Sequence, residues 1–591
     1  MNRKPFIAEI SVACALQSQA AALGLNAEAE VVRLPGSLDG KYKDACFMAC
    51  GYPVSSLSTG GANGEAALME ILQALADGNS ANIEPFDGPF LALVWLPAQN
   101  TIRVVRDKFG LRSAYYKITP TGVSVADDIA SLQGASRTRL TSISEWLHYG
   151  AALAPLTMFE DVRTLAAGCL LDISTRDFSF TTSRYFSPED YIKPEVYRSN
   201  LKLPTAALVD KFNTTFDDAI TYAVKDNKDV TILVSGGVDS TLLTAFARKQ
   251  TNVTGVTVDL YGEGVETEIQ FASAVAKQLG VKLSAVRFGP LEFRSHFCRT
   301  IQDLGAPIIV ENAIALNYVS AYGHLPHGKL VLDGEGADAL MAGSSGLFRY
   351  SMMIRHLAQI TPLSGLTVRK LFERLRSLLG KFGLNTRSTL DGAGLDIDLA
   401  ARRMELQFLT ATIQDKFKHL PTREDSEIAT LMLREFYDYL VPLMLRIDKM
   451  SAASGTHTVL PYLQRPLFEF LANLDMPHKL GRQGLSIMPI TKVFLKKQLE
   501  QYIPQDLVYR PKVGFGIPGW EWISLPEKWR KDCWLGEYFQ LNEDAVNHWI
   551  NTTTHRDKVF FLSLEVWGRL FDRRTTFDVV QGEWMEHQQR N

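Results

Sequence analysis

Hydrophobic and polar positions follow a strand-like spacing in the first third of the chain. Phe90–Leu96 (FLALVWL) and Thr101–Val105 are apolar runs on either side of a polar turn. Ser113–Ile118 and Gly122–Val125 follow at a similar spacing. Short strands this close together are typical of antiparallel sheets. Residues 1–185 are therefore predicted to form a β-rich N-terminal domain.

The spacing changes after Ser183–Pro204, which contains three prolines and shows little periodicity. This segment is predicted to be a linker, with bounds at 186–204. Beyond it, helical and apolar strand patterns alternate: helices at Ala206–Val224, Ser240–Arg248 and Glu266–Leu279, and strands at Asp229–Val234, Val253–Val258, Val281–Val286 and Lys329–Leu332. Such alternation predicts an α/β doubly wound parallel sheet. Past about residue 345 the pattern is mainly helical, so 205–591 is predicted to be one α/β domain with a helical end.

Composition and charge narrow the function classes. The 591 residues include 62 Lys+Arg and 65 Asp+Glu, a net charge of −3, which argues against a dedicated nucleic-acid binder. The longest apolar run, Phe90–Leu96, is far shorter than the ~20 residues that span a bilayer. The first residues show neither the long apolar segment nor the small-residue cleavage site of a signal peptide. A cytoplasmic protein without membrane contact is predicted. Its six cysteines are expected to be core residues rather than zinc ligands: Cys14, Cys46, Cys50, Cys169, Cys298 and Cys533.

The sharpest chemical motif is Val234–Ser240 (VSGGVDS), at the end of a predicted strand and the start of a helix. Glycines let the backbone approach a phosphate, and the helix N-terminus with the Ser235 and Ser240 hydroxyls would face the anion. Asp239 suits Mg²⁺ rather than phosphate. The spacing is that of a pyrophosphate loop in enzymes that split ATP between the α and β phosphates. The alternative is a helix cap that arose by chance.

A second motif, Asp333–Asp338 (DGEGAD), follows a later strand. Loops at the carboxyl ends of strands in a doubly wound sheet converge on one crevice. We therefore expect Asp338 to be a second Mg²⁺ ligand and Glu335 to remain available as a base. In isolation, an acidic surface turn would explain this motif equally well.

Eight stretches of the chain resemble the asparagine synthetase family, from about residue 80 to 520. Five belong to its synthetase part: SGGVDST (235–241), LDGEGADAL (332–340), LRIDKMSAASGTHTVLPYL (445–463), ITK (490–492) and RPKVGFGIP (510–518). Three resemble its glutaminase domain: FDGPFLALVW (86–95), VVRDKFGLRSAYY (104–116) and TMFEDVRTLAAGCLL (157–171). The resemblance implies an α+β N-terminal domain with Ntn-hydrolase-like antiparallel sheets and helices. A sheet like that of the adenine nucleotide alpha-hydrolases would follow.

The resemblance also implies ATP and Mg²⁺ as cofactors and a role for each matching residue. Asp239 and Asp338 would hold the metal, Glu335 would deprotonate the amine, and Lys492 and Lys512 would neutralise phosphate and transition-state charge. The nucleotide would be bound at Val234, Ser235, Gly236, Gly237, Asp239 and Ser240, with Val256, Val258 and Gly334 lining the adenosine site.

Two departures from the family pattern bear on the reaction. Position 2 is Asn where the family has its nucleophilic cysteine, and the family's RGPD and NGEIYN stretches have no counterpart. Glutamine hydrolysis is therefore expected to be absent, and the N-terminal domain to be a degenerate remnant. His457, Val459 and Gln464 replace a Glu, an Arg and an Asp of the family. This replacement makes free aspartate a doubtful acceptor, unless the three changes are repackings outside the pocket.

These features predict an AMP-forming amide synthetase that adenylates a carboxylate and joins it to an amine. The leading hypothesis is a natural-product or lasso-peptide macrolactam cyclase. Its expected partners are a carboxylate-bearing small molecule or precursor peptide, with a leader-peptide-binding or protease partner. An ammonia-dependent asparagine synthetase-like enzyme is the rival, and an inactive nucleotide-binding scaffold is the alternative from another class. The basic stretch Arg369–Lys381 is either a solvated helix or a docking site for an acidic or peptide substrate.

Overall fold

The computed structural model describes most of the chain, and everything below refers to those residues. They are 7–11, 37–42, 45–55, 62–134, 136–149, 151–225, 227–262, 268–308, 310–322, 325, 329–343, 400–438, 440–482, 489–510, 516–552 and 555–590. Cys14, Lys512 and the basic stretch Arg369–Lys381 lie outside the described residues.

Antiparallel sheets and three helices form the N-terminal region. The strands are β1 (Ile7–Ser11), β2 (Ser37–Tyr42), β3 (Ala45–Gly51), β4 (Val54–Ser55), β5 (Phe86–Asp87), β6 (Phe90–Leu96), β7 (Thr101–Arg106), β8 (Tyr115–Thr119), β9 (Gly122–Ala126), β10 (Arg163–Thr164), β11 (Cys169–Ser174) and β12 (Phe180–Arg184). The helices are α1 (Gly64–Ala76), α2 (Ala130–Gln133) and α3 (Leu140–Tyr149). A six-stranded sheet runs β12-β11-β7-β6-β3-β2, a four-stranded sheet runs β1-β9-β8-β10, and β4 pairs with β5.

Strand β6 shows why these elements stack in layers. All seven of its residues are buried, and successive side chains point to opposite faces. Leu91, Leu93 and Trp95 join a core shared with the four-stranded sheet. Phe90, Ala92, Val94 and Leu96 join a second core with α1. A seven-residue apolar run is thus explained by a strand covered on both faces, and its predicted bounds are confirmed.

The second region is built on a five-stranded parallel sheet, as predicted. Its strands are β13 (Asp229–Leu233), β14 (Asn252–Leu260), β15 (Lys282–Phe288), β16 (Leu330–Leu332) and β17 (His457–Val459), in the order β15-β14-β13-β16-β17. Every neighbouring pair is parallel. The chain moves outward from β13 to β15 and then returns to the other side of β13. The order therefore reverses between β13 and β16, which is where such sheets form a binding crevice.

Helices connect and cover the parallel sheet. The described helices here are α4 (Pro194–Lys202), α5 (Thr205–Val224), α6 (Val238–Ala247), α7 (Ile269–Leu279), α8 (Pro290–Leu304), α9 (Asn312–Ala321), α10 (Ala337–Leu340), α11 (Ala400–Lys416), α12 (Arg423–Asp438), α13 (Leu440–Ser454), α14 (Arg465–Ala472), α15 (Met476–Lys479), α16 (Val493–Leu499), α17 (Gln505–Val508), α18 (Gly519–Trp522), α19 (Glu527–Lys531), α20 (Trp534–Tyr538), α21 (Glu543–Thr552), α22 (His555–Trp567) and α23 (Phe577–Arg590). A small hairpin, β18 (Leu480–Arg482) with β19 (Pro489–Thr491), precedes α16. The C-terminal part is thus mainly helical, as predicted, but the sequence patterns missed β17 because His-Thr-Val is not a continuous apolar run like that of β16.

The predicted linker 186–204 is structured rather than extended. Pro188 begins a 3₁₀ helix and Pro194 begins α4, each at a position where a missing N–H costs nothing. The backbone N–H of Lys193 donates to Asn473 Oδ1 at 2.8 Å. The prolines that suggested a linker are therefore helix starts, and the segment packs against the second region.

The two regions share apolar cores. Ile129, Trp146 and Phe159 of the N-terminal region lie in one cluster with Trp529 and Trp534 of the C-terminal helices. Across the part of the chain that the structure describes, none of the helices combines the length and apolarity needed to cross a bilayer.

Candidate active site

The two motif loops leave the sheet side by side. Strands β13 and β16 are paired in parallel with Ile232 opposite Leu332, so both loops begin at the same edge. The first loop, Val234–Gly237, leads into α6, and the second, Asp333–Gly336, leads into α10. Because the strand order reverses here, both loops border the crevice expected at a topological switch point. The structure thus brings together the two motifs that the sequence separates by about a hundred residues.

Glycines allow the loops to touch. A Cβ added to Gly334 would lie 3.2 Å from Asp239 Cβ and 3.2 Å from the backbone N of Ser240. Gly236 has φ +71°, and a Cβ there would lie 2.8 Å from the backbone N of Ala272 in α7. At Gly237 a Cβ would meet only Ser235 Oγ, at 3.1 Å. Gly334 and Gly236 are therefore required for protein packing, and Gly237 is the one of the three that leaves space for a ligand.

Hydroxyls and one arginine fix the first loop. Ser235 Oγ and Ser240 Oγ are 3.1 Å apart, and the Gly237 backbone N–H donates to Ser235 Oγ at 3.2 Å. Arg510 Nη2 donates to the Gly236 carbonyl at 3.1 Å and lies 3.2 Å from Glu268 Oε1. The loop is therefore held in one conformation by the protein itself, as preorganised anion sites are.

Lys492 joins the two loops through their carboxylates. Its Nζ forms ion pairs with Asp239 and, at 2.5 Å, with Asp338 Oδ1. Lys492 has φ +57° just before α16, and its backbone N–H donates to the Met341 carbonyl at 3.1 Å. Burial alone would lower the pKa of Lys492, but Asp239 and Asp338 reverse this and raise it above its usual value. The lysine therefore stays protonated and places a positive charge between both predicted metal ligands.

Glu335 faces a second cation. Arg446 Nη2 of α13 donates to Glu335 Oε2 at 3.1 Å, and Arg446 Nη1 donates to Asn312 Oδ1 at 2.7 Å. Burial, together with nearby Asp333, Asp338 and Asp239, raises the pKa of Glu335 to about 7 against the opposing effect of Arg446. Burial also raises the pKa of Asp333. A carboxyl group that titrates near neutral pH is suited to accept a proton from an amine.

The predicted adenosine residues lie on the adjacent strand. The Val234 backbone N–H donates to the Val256 carbonyl at 2.8 Å, and the Val256 side chain is buried in an apolar cluster with Met450. Val258 is only partly buried against that cluster. Side-chain contact between Val256 and a nucleotide is therefore limited. Val258 is less buried and lies nearer the carboxyl end of β14.

The three residues that depart from the family pattern lie on β17 and shortly after it. Val459 ends β17, is fully buried, and its carbonyl accepts a hydrogen bond from the Asp333 N–H at 3.2 Å. Gln464 is also buried, and the His457 ring lies 5.5 Å from that of Tyr52. Val459 thus supplies only a backbone group to the second loop. The identity of the acceptor remains a prediction.

Sequence reasoning missed Arg446 and Arg510. Both lie within stretches quoted for the resemblance, LRIDKMSAASGTHTVLPYL and RPKVGFGIP, but neither was assigned a role. For Arg446 the available signal was its place inside the otherwise apolar helical pattern at Leu440–Ile447, because a charged residue there requires a buried partner.

Asp239 and Asp338 carry the right donor atoms for Mg²⁺. Among the described side chains, no group of three or more His, Cys, Asp or Glu is arranged to hold a metal ion. Mg²⁺ commonly takes one or two carboxylates and completes its shell with water and substrate phosphate oxygens. The two carboxylates around the Lys492 ammonium fit that mode, because they already hold a cationic group.

Comparison with known proteins agrees with this geometry. A profile of the family described as asparagine synthase matches residues 211–556, and one described as a glutamine amidotransferase domain matches residues 67–186. A Mycobacterium bovis protein provisionally named as a glutamine-hydrolyzing asparagine synthetase is 24% identical over 459 residues, covering 74% of this chain and 68% of that protein. Asparagine synthetase 1 of Bacillus subtilis, also named as glutamine-hydrolyzing, is 22% identical over 460 residues, covering 74% and 69%.

Among solved structures, the B. subtilis glutamine phosphoribosylpyrophosphate amidotransferase complexed with ADP and GMP covers 42% of this chain and 72% of that one, at 10% identity and a TM-score of 0.19. A similarity this low carries no argument about the present site. The synthase profile, in contrast, spans more than half of the chain and includes both motif loops. The chain belongs to the asparagine synthase family and is an ATP-dependent carbon–nitrogen ligase.

Proposed function

We propose that the protein adenylates a substrate carboxylate with ATP, releases pyrophosphate, and passes the acyl group to an amine with release of AMP. The observation that carries this proposal is the pairing of the β13 and β16 loops, in which Lys492 bridges Asp239 and Asp338 beside Glu335. Because the chain is an ATP-dependent ligase, this proposal replaces the inactive nucleotide-binding scaffold considered from sequence.

The first step joins the carboxylate to AMP. A carboxylate oxygen attacks the α-phosphorus, the bond from that phosphorus to the bridging oxygen breaks, and pyrophosphate leaves. Gly237 and the N-terminus of α6 would face the phosphates, and Lys492 would move from its carboxylates toward the leaving pyrophosphate. Mg²⁺ held by Asp239 and Asp338 would neutralise phosphate charge when bound.

The second step needs a base. An amine nitrogen attacks the acyl carbon, the bond from that carbon to AMP breaks, and one proton must leave the nitrogen. The proton would go to Glu335, whose pKa near 7 leaves a useful fraction ionised at neutral pH. Arg446 would keep the carboxylate oriented, because it is held in turn by Asn312.

We further propose that the amine does not come from glutamine. Cys50, Cys169, Cys298 and Cys533 are buried. Burial raises the pKa of the Cys169, Cys298 and Cys533 thiols, which disfavours the nucleophilic thiolate. Cys46 is half-buried in β3, which lies between β6 and β2 in the six-stranded sheet. These environments are typical of structural cysteines, although relatives are named as glutamine-hydrolyzing.

For the amine we favour a group carried by the substrate itself, as in a natural-product or lasso-peptide macrolactam cyclase. The support is the replacement of three polar family residues by His457, Val459 and Gln464. Ammonia is the second candidate, and Glu335 favours it, because ammonium must lose a proton before it can attack. β-Lactam synthetases place a tyrosine at that position, so they fit less well.

Exchange of radiolabelled pyrophosphate into ATP tests the first step. The panel contains L-aspartate, L-glutamate and a synthetic peptide with a free N-terminus and an internal aspartate or glutamate. We expect exchange that depends on one of these carboxylates and on Mg²⁺. If none supports exchange, adenylation is wrong.

Two further assays separate the amine sources. Release of glutamate from glutamine by the pure protein would contradict glutamine independence. Mass spectrometry of the peptide after reaction with ATP would show loss of one water for a macrolactam. Formation of asparagine from aspartate and ammonium chloride would instead support the ammonia-dependent candidate.

A further inference from the structure

Helix α13 connects the candidate active site to the N-terminal region. Its Arg446 contacts Glu335, as described above. Two residues later, Asp448 accepts hydrogen bonds from Arg112 Nη1 at 2.7 Å and from the Ser113 N–H at 3.0 Å. The next residue, Lys449, donates to the Asp127 carbonyl at 2.8 Å. One short stretch of helix therefore touches the proposed base on one side and the N-terminal region on the other.

Arg112 is the centre of the contact on the N-terminal side. Its guanidinium bridges Asp448 of α13 and Asp127, at the end of β9. All three side chains are buried. A buried arginine that pairs with two carboxylates is fixed in position, because its planar fork allows few alternative arrangements. The arginine thus fixes α13 relative to the residue that follows β9.

The loop that presents Arg112 is itself rigid. Asp107 accepts hydrogen bonds from the N–H groups of Leu111 at 2.8 Å and Arg112 at 2.7 Å. Arg106 Nε donates to the Arg112 carbonyl at 2.6 Å. Phe109 packs its ring on that of Phe468 at a centroid distance of 5.5 Å. Because these contacts hold the loop, Arg112 keeps a defined position relative to the N-terminal region.

We propose that Arg112 is a positioning residue for the proposed base: through Asp448 and α13 it sets where Arg446 holds the Glu335 carboxylate. The N-terminal region then contributes to amide formation by supporting the synthetase site, independently of any chemistry of its own. This inference rests on the proposed function only for its kinetic effect. The positional coupling between Arg112 and Glu335 holds whatever the substrate is.

The kinetic test compares the two steps in one preparation. The variants are Arg112→Met, Arg112→Lys and Asp448→Asn, with Arg103→Met as the matched control, since Arg103 pairs with Asp172 inside the N-terminal region at 2.7 Å. Both rates are measured with a carboxylate that supports exchange. The ratio of interest is the rate of amide formation, from ammonium chloride or the peptide's own amine, divided by the rate of pyrophosphate exchange. This ratio does not depend on the folded fraction, so a merely structural role leaves it unchanged.

Arg112→Met is expected to lower the ratio about tenfold, because small misplacement of a catalytic group is costly. Arg112→Lys should recover part of the loss, Asp448→Asn should lower the ratio in the same direction, and Arg103→Met should keep it within about twofold. The proposal is overturned if both rates fall together in Arg112→Met, or if the control lowers the ratio equally.

A double-mutant cycle keeps the inference testable without turnover. Glu335→Gln is introduced into the wild type and into Arg112→Met, and the unfolding equilibrium constants are measured in urea. Positioning predicts that the effect of Glu335→Gln differs by at least about fivefold between the two backgrounds. The same cycle with Arg103→Met should be additive. Additivity in the Arg112 cycle would contradict the coupling, whereas a wild type without exchange would contradict only the proposed function.

Discussion

The buried charges of the N-terminal region and the partly exposed charges at the edge of the parallel sheet are arranged in opposite ways. In the first, Lys108 Nζ lies 2.8 Å from Asp87 Oδ1 and 2.8 Å from the Tyr191 hydroxyl, so each charge meets its partner in a closed contact. At the second, Asp239, Asp333, Glu335 and Asp338 are gathered around Lys492 and Arg446.

The difference shows what each arrangement is for. A closed buried pair fixes how elements dock, and removing one partner leaves the other uncompensated. A surplus of carboxylates raises the electrostatic free energy of the folded protein, and a bound cation relieves it. The N-terminal charges therefore belong to the structure of the protein, and those at the sheet edge belong to its chemistry. The predictions below test that division, beginning with the largest effect.

Asp239→Asn is expected to reduce pyrophosphate exchange by about a thousandfold, since it removes a proposed metal ligand in the pyrophosphate loop. Its unfolding free energy should be unchanged or higher, because one carboxylate of a repelling group is gone. Initial exchange rates and a urea titration measure the two quantities. A large loss of stability would place Asp239 with the structural charges.

Glu335→Gln is expected to lower amide formation about a hundredfold while leaving exchange near the wild-type rate. In the wild type, amide formation should rise with pH up to about 7 and then level off, since only the ionised carboxylate accepts a proton. Hydroxylamine, mostly unprotonated at neutral pH, does not need the deprotonation that ammonium needs before attack, so it should recover part of the lost rate. Equal loss with hydroxylamine would mean that Glu335 does not deprotonate the ammonium ion before attack.

The same residue affects stability with a defined sign. The folded pKa of Glu335, about 7, lies above its ordinary 4.5, so the folded protein binds the proton more tightly than the unfolded chain. The unfolding free energy of the ligand-free protein should therefore fall as pH rises from about 4.5 to 7. Glu335→Gln should show a smaller decline, because Asp333, whose pKa is also raised, still contributes. Urea titrations at several pH values would detect it, and identical slopes in the two proteins would contradict it.

Lys108→Met is expected to destabilise the protein by about 3 kcal/mol, because it leaves Asp87 buried without its cation. Exchange per folded molecule should stay within about twofold of the wild type. The matched control is Lys329→Met, whose exposed partner Asp229 lies 3.5 Å away, and which should cost less than about 0.5 kcal/mol. If exchange per folded molecule also fell strongly in Lys108→Met, the N-terminal charges could not be assigned to structure alone.

Lys492→Gln is expected to raise Mn²⁺ affinity in the absence of nucleotide by about tenfold. The substitution removes the ammonium that now neutralises Asp239 and Asp338, so the carboxylates bind a cation more strongly. Electron paramagnetic resonance titration with Mn²⁺ measures the affinity directly, and Lys108→Met serves as the control. Unchanged affinity would mean that the two carboxylates are not the metal site.

Sequence patterns were enough to predict strands β13 to β16, helices α5 to α7 and both motif loops, because each rests on local periodicity or on a short spacing of glycines and carboxylates. Strand β17 was missed because His-Thr-Val is not a continuous apolar run, whereas the equally short β16 is. The helices within the predicted linker were not foreseen, because a proline interrupts a periodic pattern and can equally begin a helix, as Pro188 and Pro194 do.

The bridging position of Lys492 and the pairing of Arg446 with Glu335 depend on contacts more than a hundred residues apart in sequence. Local pattern carries no information about such distances. Lys492 was assigned to phosphate through the resemblance, but its contact with both carboxylates became visible only in three dimensions. The same is true of Arg112 and Asp448.

The most direct test is carboxylate-dependent exchange of pyrophosphate into ATP, measured for the wild type and for Asp239→Asn at equal concentrations of folded protein. The wild type is expected to exchange with at least one carboxylate of the panel, and Asp239→Asn to lose that exchange while unfolding at the same urea concentration. Exchange that persists in Asp239→Asn, or that no carboxylate elicits from the wild type, would contradict the assignment of the β13 and β16 loops as the adenylation site.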